Sequence, residues 1–350
     1  MVTKQSDITP QTGVTSSYGN LVKMRISEEV KVKKSEPNIA VVVTSYNKPN
    51  FVEKCITSCL AVKEYITEII IVDDNSDAAT LTKLAKWENC KSFPISLIKN
   101  PVNRGTFESR KIGSESARSD YIIFLDIDDE LLKEGIIKIH EHIEKHQTDI
   151  ILSGTVIEQV RTRKQRMIRP PPKIINHDRL ILNLHSLGIA GKTFKRRLLI
   201  TTYQSLAEVK NKKLIYGEDA LLFATAVGHA LTVASVSGLS YKYNINQSSI
   251  TENKDYNIVK QKILQLRYVI IVLKKLNTRE NSILKGKLLS ATKRLQVEKT
   301  LQYRHLPAEP GRDFTLKAAF KALIISRTFR DLARLGYLAF NHTVIRALRK

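Results

Sequence analysis

Short unbroken apolar runs alternate with stretches of helical periodicity through the first half of the chain. Runs at 39–44, 68–72, 95–99 and 121–125 are bounded by turn residues, the mark of strands buried on both faces. Between them, 51–60, 81–87 and 106–117 carry apolar residues at helical spacing, and 132–145 continues the series. Buried strands alternating with helices predict an α/β fold with a mostly parallel, doubly wound sheet.

Beyond this region 150–156 reads as another strand and 161–173 as a basic loop with three prolines, placed to cover or flank a site at the strand ends. Residues 178–203 read as mostly helical, and 214–220 lead into an apolar helix ending at His229. The stretch 232–243 reads as two short strands, 256–299 as two helices, and 314–350 as a basic helical segment. Three regions follow: a polar leader at 1–36, an α/β domain at 37–255, and a basic helical C-terminal region at 256–350.

In open α/β sheets ligands bind beyond the carboxyl ends of the strands. Polar clusters stand at three such ends: 44–47, 73–77 and 126–130. In the third, an apolar run stops at Asp126, Asp128 and Asp129. Carboxylates this close repel and lose solvation in a cleft, and Mg²⁺ or Mn²⁺ relieves both costs through hard oxygen ligands. The competing reading is an acidic turn in which Asp128 or Asp129 caps the next helix.

Composition adds one asymmetry. The chain of 350 residues has a formal charge of +23, and residues 256–350 alone carry 21 Lys and Arg against 5 Asp and Glu. The excess sits away from the carboxylates and suits an anionic membrane surface, a nucleic acid or an anionic glycan. The pattern at 317–340, apolar residues interleaved with Lys317, Lys321, Arg327, Arg330 and Arg334, suits a helix lying on anionic lipid, or helices that join two copies. Cys55, Cys59 and Cys90 lack zinc or redox spacing, and 1–37 lacks the apolar core of a signal peptide. These features predict a cytoplasmic protein, peripheral on the inner face of the plasma membrane.

The ordered set Thr44-Ser-Tyr-Asn47, Val72-Asp-Asp-Asn-Ser76, Asn103-Arg-Gly105 with Arg110, Leu125-Asp-Ile-Asp-Asp129, Gly217-Glu-Asp219 and Tyr241-Lys-Tyr243 with Ser248 resembles the family 2 glycosyltransferases of the GT-A fold. The resemblance spans roughly 38–250 and implies transfer of a sugar from a nucleotide-diphospho donor with inversion. It implies a UDP-sugar donor, Mn²⁺ or Mg²⁺, and a glycan or lipid-linked acceptor such as a growing surface polysaccharide. By the same resemblance Thr44, Tyr46, Asp74, Arg110 and Asp126 hold the donor, Asp128 with Asp126 holds the metal, and Asp219 is the base. Lys192 and Glu218 fall on the acceptor side. Structural readings stand beside these: strand capping for Thr44, an Asx turn at 73–77, a surface ion pair for Arg110, and helix capping for Asp219. His177 and His185 read as surface or core residues.

Two rival readings stand against this one. A sugar-nucleotidyltransferase wants a glycine-rich loop after the first strand, and Thr44–Pro49 has no glycine. A nucleic-acid-binding or membrane-binding scaffold accounts for the charge, yet no nucleic-acid-binding motif occurs in the sequence.

Overall fold

The computed structural model describes residues 37–88, 90–170, 188–209, 213–245, 255–279 and 283–302. The expected leader, the basic segment at 314–350, His177, His185 and Ser248 lie outside the described residues.

The first half follows the predicted alternation. Strands β1 (Ile39–Ser45), β2 (Glu68–Asp73), β3 (Ile95–Lys99) and β4 (Tyr121–Asp126) are linked by helices α1 (Val52–Leu60), α2 (Ala78–Glu88) and α3 (Thr106–Ser116). They pair in parallel in the order β3-β2-β1-β4. Along β1 successive side chains serve opposite faces: Ala40 and Val42 join one buried cluster, and Ile39, Val41 and Val43 the other. Burying each such aliphatic side chain contributes about 1.5–3 kcal/mol relative to exposure, so the continuous apolar runs commit these segments to the sheet centre. Cys55 and Cys59 are free, buried thiols on the inner face of α1.

The second half departs from the parallel pattern. After β5 (Glu130–Leu131) and α4 (Lys133–Lys145) come β6 (Ile150–Gln159), β7 (Lys164–Ile168), β8 (Lys192–Lys195), α5 (Arg196–Ser205), α6 (Glu218–His229) and β9 (Val233–Ile245). The sheet continues past β4 as β8-β6-β9-β5. Strand β8 runs antiparallel to both β4 and β6. It occupies the edge of β6 along Ile150–Leu152, and β7 takes over the same edge along Thr155–Gln159.

Three sequence expectations change here. Residues 192–195 form a strand rather than part of a helix, because Thr193 and Phe194 fill a register between β4 and β6 that only an extended segment can occupy. The basic loop at 161–173 contains β7, whose residues pair with β6 along their whole length. The two short strands at 232–243 are one strand, β9, with a register irregularity opposite Gly154.

Helices α7 (Tyr256–Thr278) and α8 (Leu289–Gln302) complete the described chain. Leu266, Val269 and Leu273 of α7 pack in the same cluster as Leu221 and Phe223 of α6. Among the described residues no helix is long and apolar enough to cross a membrane.

Candidate active site

Asp126 ends β4, directly opposite Thr44 on β1, and this register lets the Thr44 hydroxyl donate to the Asp126 carboxylate at 2.9 Å. From the other side comes Arg110. Helix α3 starts after Gly105, whose φ of +86° suits glycine. It lies tight against the sheet at Gly113, where a Cβ would stand 2.3 Å from a methyl of Val42. Arg110, a turn earlier, thereby points along the sheet toward the strand ends, with its side chain only 3% exposed. One amino group donates to Asp126 at 3.0 Å, and the other meets Asp219 and lies 3.9 Å from Glu218. Burial alone would disfavour the guanidinium charge; the Asp219, Asp126 and Glu218 carboxylates outweigh it and raise its pKa further.

Asp219 and Glu218 occupy the first turn of α6, after Gly217 caps the helix in a left-handed conformation. Asp219 is thus not the capping residue, and carboxylates in a first turn are favoured by the helix dipole. Glu218 is pushed up to about 8 by burial and by its neighbour Asp219, with Arg110 opposing. Lys192, at the start of β8, is pulled down to about 8 by burial, with Asp219 opposing. Its ammonium donates to the carbonyls of Gly188 and Ala190 and sits 4.7 Å above the Phe223 ring.

Arg110, Asp126, Asp219, Lys192, Arg169 and Tyr241 all line one cavity of about 280 Å³. A cation shared between two carboxylates at one end, and a sheet face at the other, give a site able to position charge beside a bound polar chain. Asp219 remains 32% exposed, so solvent or substrate hydroxyls can reach it.

The three acidic residues of the β4 turn have separate surroundings. Asp129 is buried and structural: it accepts from the Tyr241 hydroxyl at 2.7 Å and from the Asn244 amide at 2.8 Å. Burial, then Asp126 and Asp128, push its pKa up, and those two hydrogen bonds oppose the shift. Asp128 forms an ion pair with Lys48 from the β1 turn. Asp126 and Asp128 offer only oxygen donors, which fits Mg²⁺ or Mn²⁺; such ions are commonly held by one or two carboxylates together with substrate phosphates. Among the described residues no group of three or more His, Cys, Asp or Glu could hold a metal, so these residues supply part of such a coordination shell at most.

The expected nucleoside residues are divided. Thr44 reaches the site through Asp126, while Tyr46 is 47% exposed in the loop after β1. Asp74 turns inward: one carboxylate oxygen accepts from the Asn100 side chain and the Arg104 amide, the other from the Gly105 amide, each at 2.8 Å. Its carboxylate fixes the loop that launches α3. Asp73 accepts from the Ser76 amide at 3.0 Å, the Asx turn expected there. Sequence reasoning missed Lys48 and Asn100. Lys48 shares its turn with Tyr46, and a basic residue two positions from a donor candidate was the available signal. Nothing in the sequence singled out Asn100.

The chain has counterparts among known proteins. Residues 40–202 match the family model described as glycosyl transferase family 2. The succinoglycan biosynthesis protein ExoO of Rhizobium meliloti is 27% identical over 225 residues, covering 61% of this chain and 63% of that protein. An uncharacterized glycosyltransferase of Haemophilus influenzae is 30% identical over 164 residues, covering 46% of this chain and 54% of its own. The chain therefore spans less than two thirds of the length of either relative. Among solved structures, residues 1–349 of Staphylococcus aureus TarS in complex with UDP-GlcNAc superpose with a TM-score of 0.55 at 16% identity, over 82% of this chain and 79% of that one. A Pyrobaculum calidifontis mannosyltransferase in complex with GDP-Man and Mn²⁺ gives 0.52 at 12% identity, over 87% and 80%. The fold is thus the GT-A type. The family 2 match contains Thr44, Asp126, Asp128 and Lys192 and ends before Asp219.

Proposed function

We propose that this chain is an inverting glycosyltransferase that moves a hexose or N-acetylhexosamine from a UDP-sugar to a growing surface glycan. The observation that carries the reading is the convergence of Asp126 and Asp219 on Arg110 at one cavity. One carboxylate ends β4 and the other belongs to the first turn of α6, the two sharing one guanidinium. That is the division of labour an inverting transfer needs, since the acceptor hydroxyl attacks opposite the leaving diphosphate. The relatives support the setting: one takes part in succinoglycan biosynthesis, and TarS is named a poly(ribitol-phosphate) β-N-acetylglucosaminyltransferase.

In this reading Thr44, Tyr46 and Asp126 face the nucleotide-sugar, while Asp74 acts through the 103–105 loop. Asp128, with Asp126, would hold a divalent ion, whose chemistry is to neutralise charge developing on the diphosphate. Asp219 accepts the acceptor's proton, and Arg110 keeps both carboxylates placed. Glu218, whose pKa burial raises, backs Asp219 from behind the cavity wall, and Lys192 shapes the acceptor side. The protein works at the inner face of the plasma membrane, where lipid-linked acceptors are assembled.

The test is UDP release from a panel of UDP-sugars with and without Mn²⁺, using Asp128→Ala and Asp219→Asn alongside. One donor turned over, dependent on metal and lost in both variants, is the expected result. Full acceptor-dependent activity in Asp219→Asn overturns the base assignment, and metal-independent turnover overturns the role of Asp128.

A further inference from the structure

The β6–β7 hairpin carries an arrangement that the reaction has not used. Side chains directly opposite each other in paired strands share a face. Thr155 stands opposite Ile168 on β7 and Tyr241 on β9; Ile157 stands opposite Arg166 and Tyr243; Gln159 stands opposite Lys164 and Ile245. Thr155, Ile157, Ile168, Tyr241 and Tyr243 all line the cavity, so this face of the three strands is its outward continuation. Arg166 and Lys164 are therefore on the cavity face, in the two rows that lead away from it. Arg169, just past β7, lines the cavity itself.

The reverse face is electrically closed. There Glu158 is bonded to Gln165 and paired with Arg163 and Lys242, and Lys242 also pairs with Glu130. The cavity face bears no carboxylate on β6, β7 or β9 at these rows. Lys164, Arg166 and Arg169 are exposed, and none of them forms an ion pair among the described residues. Lys164 and Arg166 are two residues apart on one strand, which spaces their attachment points by about 6–7 Å.

We infer that Arg169, Arg166 and Lys164 form a cationic track that holds a linear acceptor glycan bearing a negative charge on its repeating unit. Such a chain enters the cavity at its reacting end and lays earlier repeats along β7. Tyr243 and Ile157 give the sugar rings an apolar surface, and the three cations pair with successive anionic groups, Arg in a forked geometry suited to phosphate or carboxylate. The inference rests on the glycosyltransferase reading and assigns its acceptor class.

The test measures binding without turnover, by anisotropy of fluorescent glycerol-phosphate oligomers, hyaluronan oligosaccharides and uncharged maltodextrins of matched length. The variants are Lys164→Glu/Arg166→Glu and the milder Arg166→Gln, both at exposed positions. Lys83→Glu/Lys86→Glu on α2 makes the same change in net charge away from the track. The β7 pair is expected to weaken binding of at least one charged oligomer about tenfold, Arg166→Gln less, and the α2 pair not at all. Equal loss in the α2 pair, or no binding of either charged oligomer to the unmodified protein, overturns the inference. So does β7-dependent binding of phosphatidylglycerol vesicles or single-stranded RNA in place of glycans. UDP release from the same preparation tests the transferase reading separately, so failure of either is distinguishable.

Discussion

The guanidinium of Arg110 is shared between Asp126 and Asp219, which reach it from the end of β4 and from the first turn of α6. These carboxylates are 93 positions apart in the sequence, and a single buried cation fixes their separation. Lysine at this position keeps the charge but cannot satisfy two carboxylates with one fork. Arg110→Lys is expected to lower kcat by about 100-fold through misplacement of the reacting groups, with the donor KM little changed. A rise in KM with kcat retained would instead assign Arg110 to donor binding.

Arg110→Met removes the cation and leaves Asp126 and Asp219, each about one third exposed, beside the largely buried Glu218 without it. Solvent screening of the two exposed carboxylates limits the expected cost to about 1–3 kcal/mol of stability, read from urea unfolding. A change within error of zero would show that the cluster tolerates loss of its cation.

Glu218 predicts a pH signature. Its folded pKa of about 8 lies above its ordinary value of 4.5, so between those values the folded state binds more protons than the unfolded state. Stability from this group is complete below about pH 4.5 and declines as pH rises toward 8. Lys192 acts in the next window: its folded value of about 8 lies below 10.5, so its contribution makes stability rise between them. Glu218→Gln is expected to flatten the decline in Tm between pH 5 and pH 8 and to leave the higher window intact. Parallel Tm profiles for both proteins would contradict the burial of an uncharged Glu218.

Lys48 is paired with Asp128, a proposed metal ligand. If the two cations compete for that carboxylate, Lys48→Met is expected to tighten Mn²⁺ binding about threefold, a gain in line with a partly exposed ion pair. Calorimetric titration with UDP present provides the measurement, and weaker binding would show that Lys48 assists the ion.

Gly113 sets the depth of α3 on the sheet, because a Cβ there would overlap Val42. Gly113→Ala is expected to cost about 1–3 kcal/mol and to lower turnover by displacing Arg110. Lost stability with unchanged turnover would separate packing at Gly113 from the placement of Arg110.

Where apolar runs were continuous, local pattern and tertiary demand agreed, and β1 to β4 were legible in the sequence. β8 was not, because Lys192–Lys195 is short and gains its strand conformation from β4 and β6, which are distant in sequence. β7 was hidden for a related reason: its exposed, charged residues have no strand alternation, and pairing with β6 supplies the structure. Within the site, the resemblance named Asp126, Arg110 and Asp219, and the fold brings them together. The inward turn of Asp74 could not be read, since it depends on the conformation of the 100–105 loop. The pairing of Lys48 with Asp128 likewise joins turns that follow separate strands.

The reversal of strand direction at β8 divides the sheet into two parts of different origin in the chain. Everything proposed to recognise the nucleotide lies on the parallel side, before residue 130, and the cationic rows lie on β7, which pairs with β6 beyond the reversal. On the proposed readings, donor and acceptor are read by separate strands, β4 and β7, which both line the cavity. A protein built this way can exchange one polymer for another by rewriting a single hairpin, with its sugar nucleotide left unaltered.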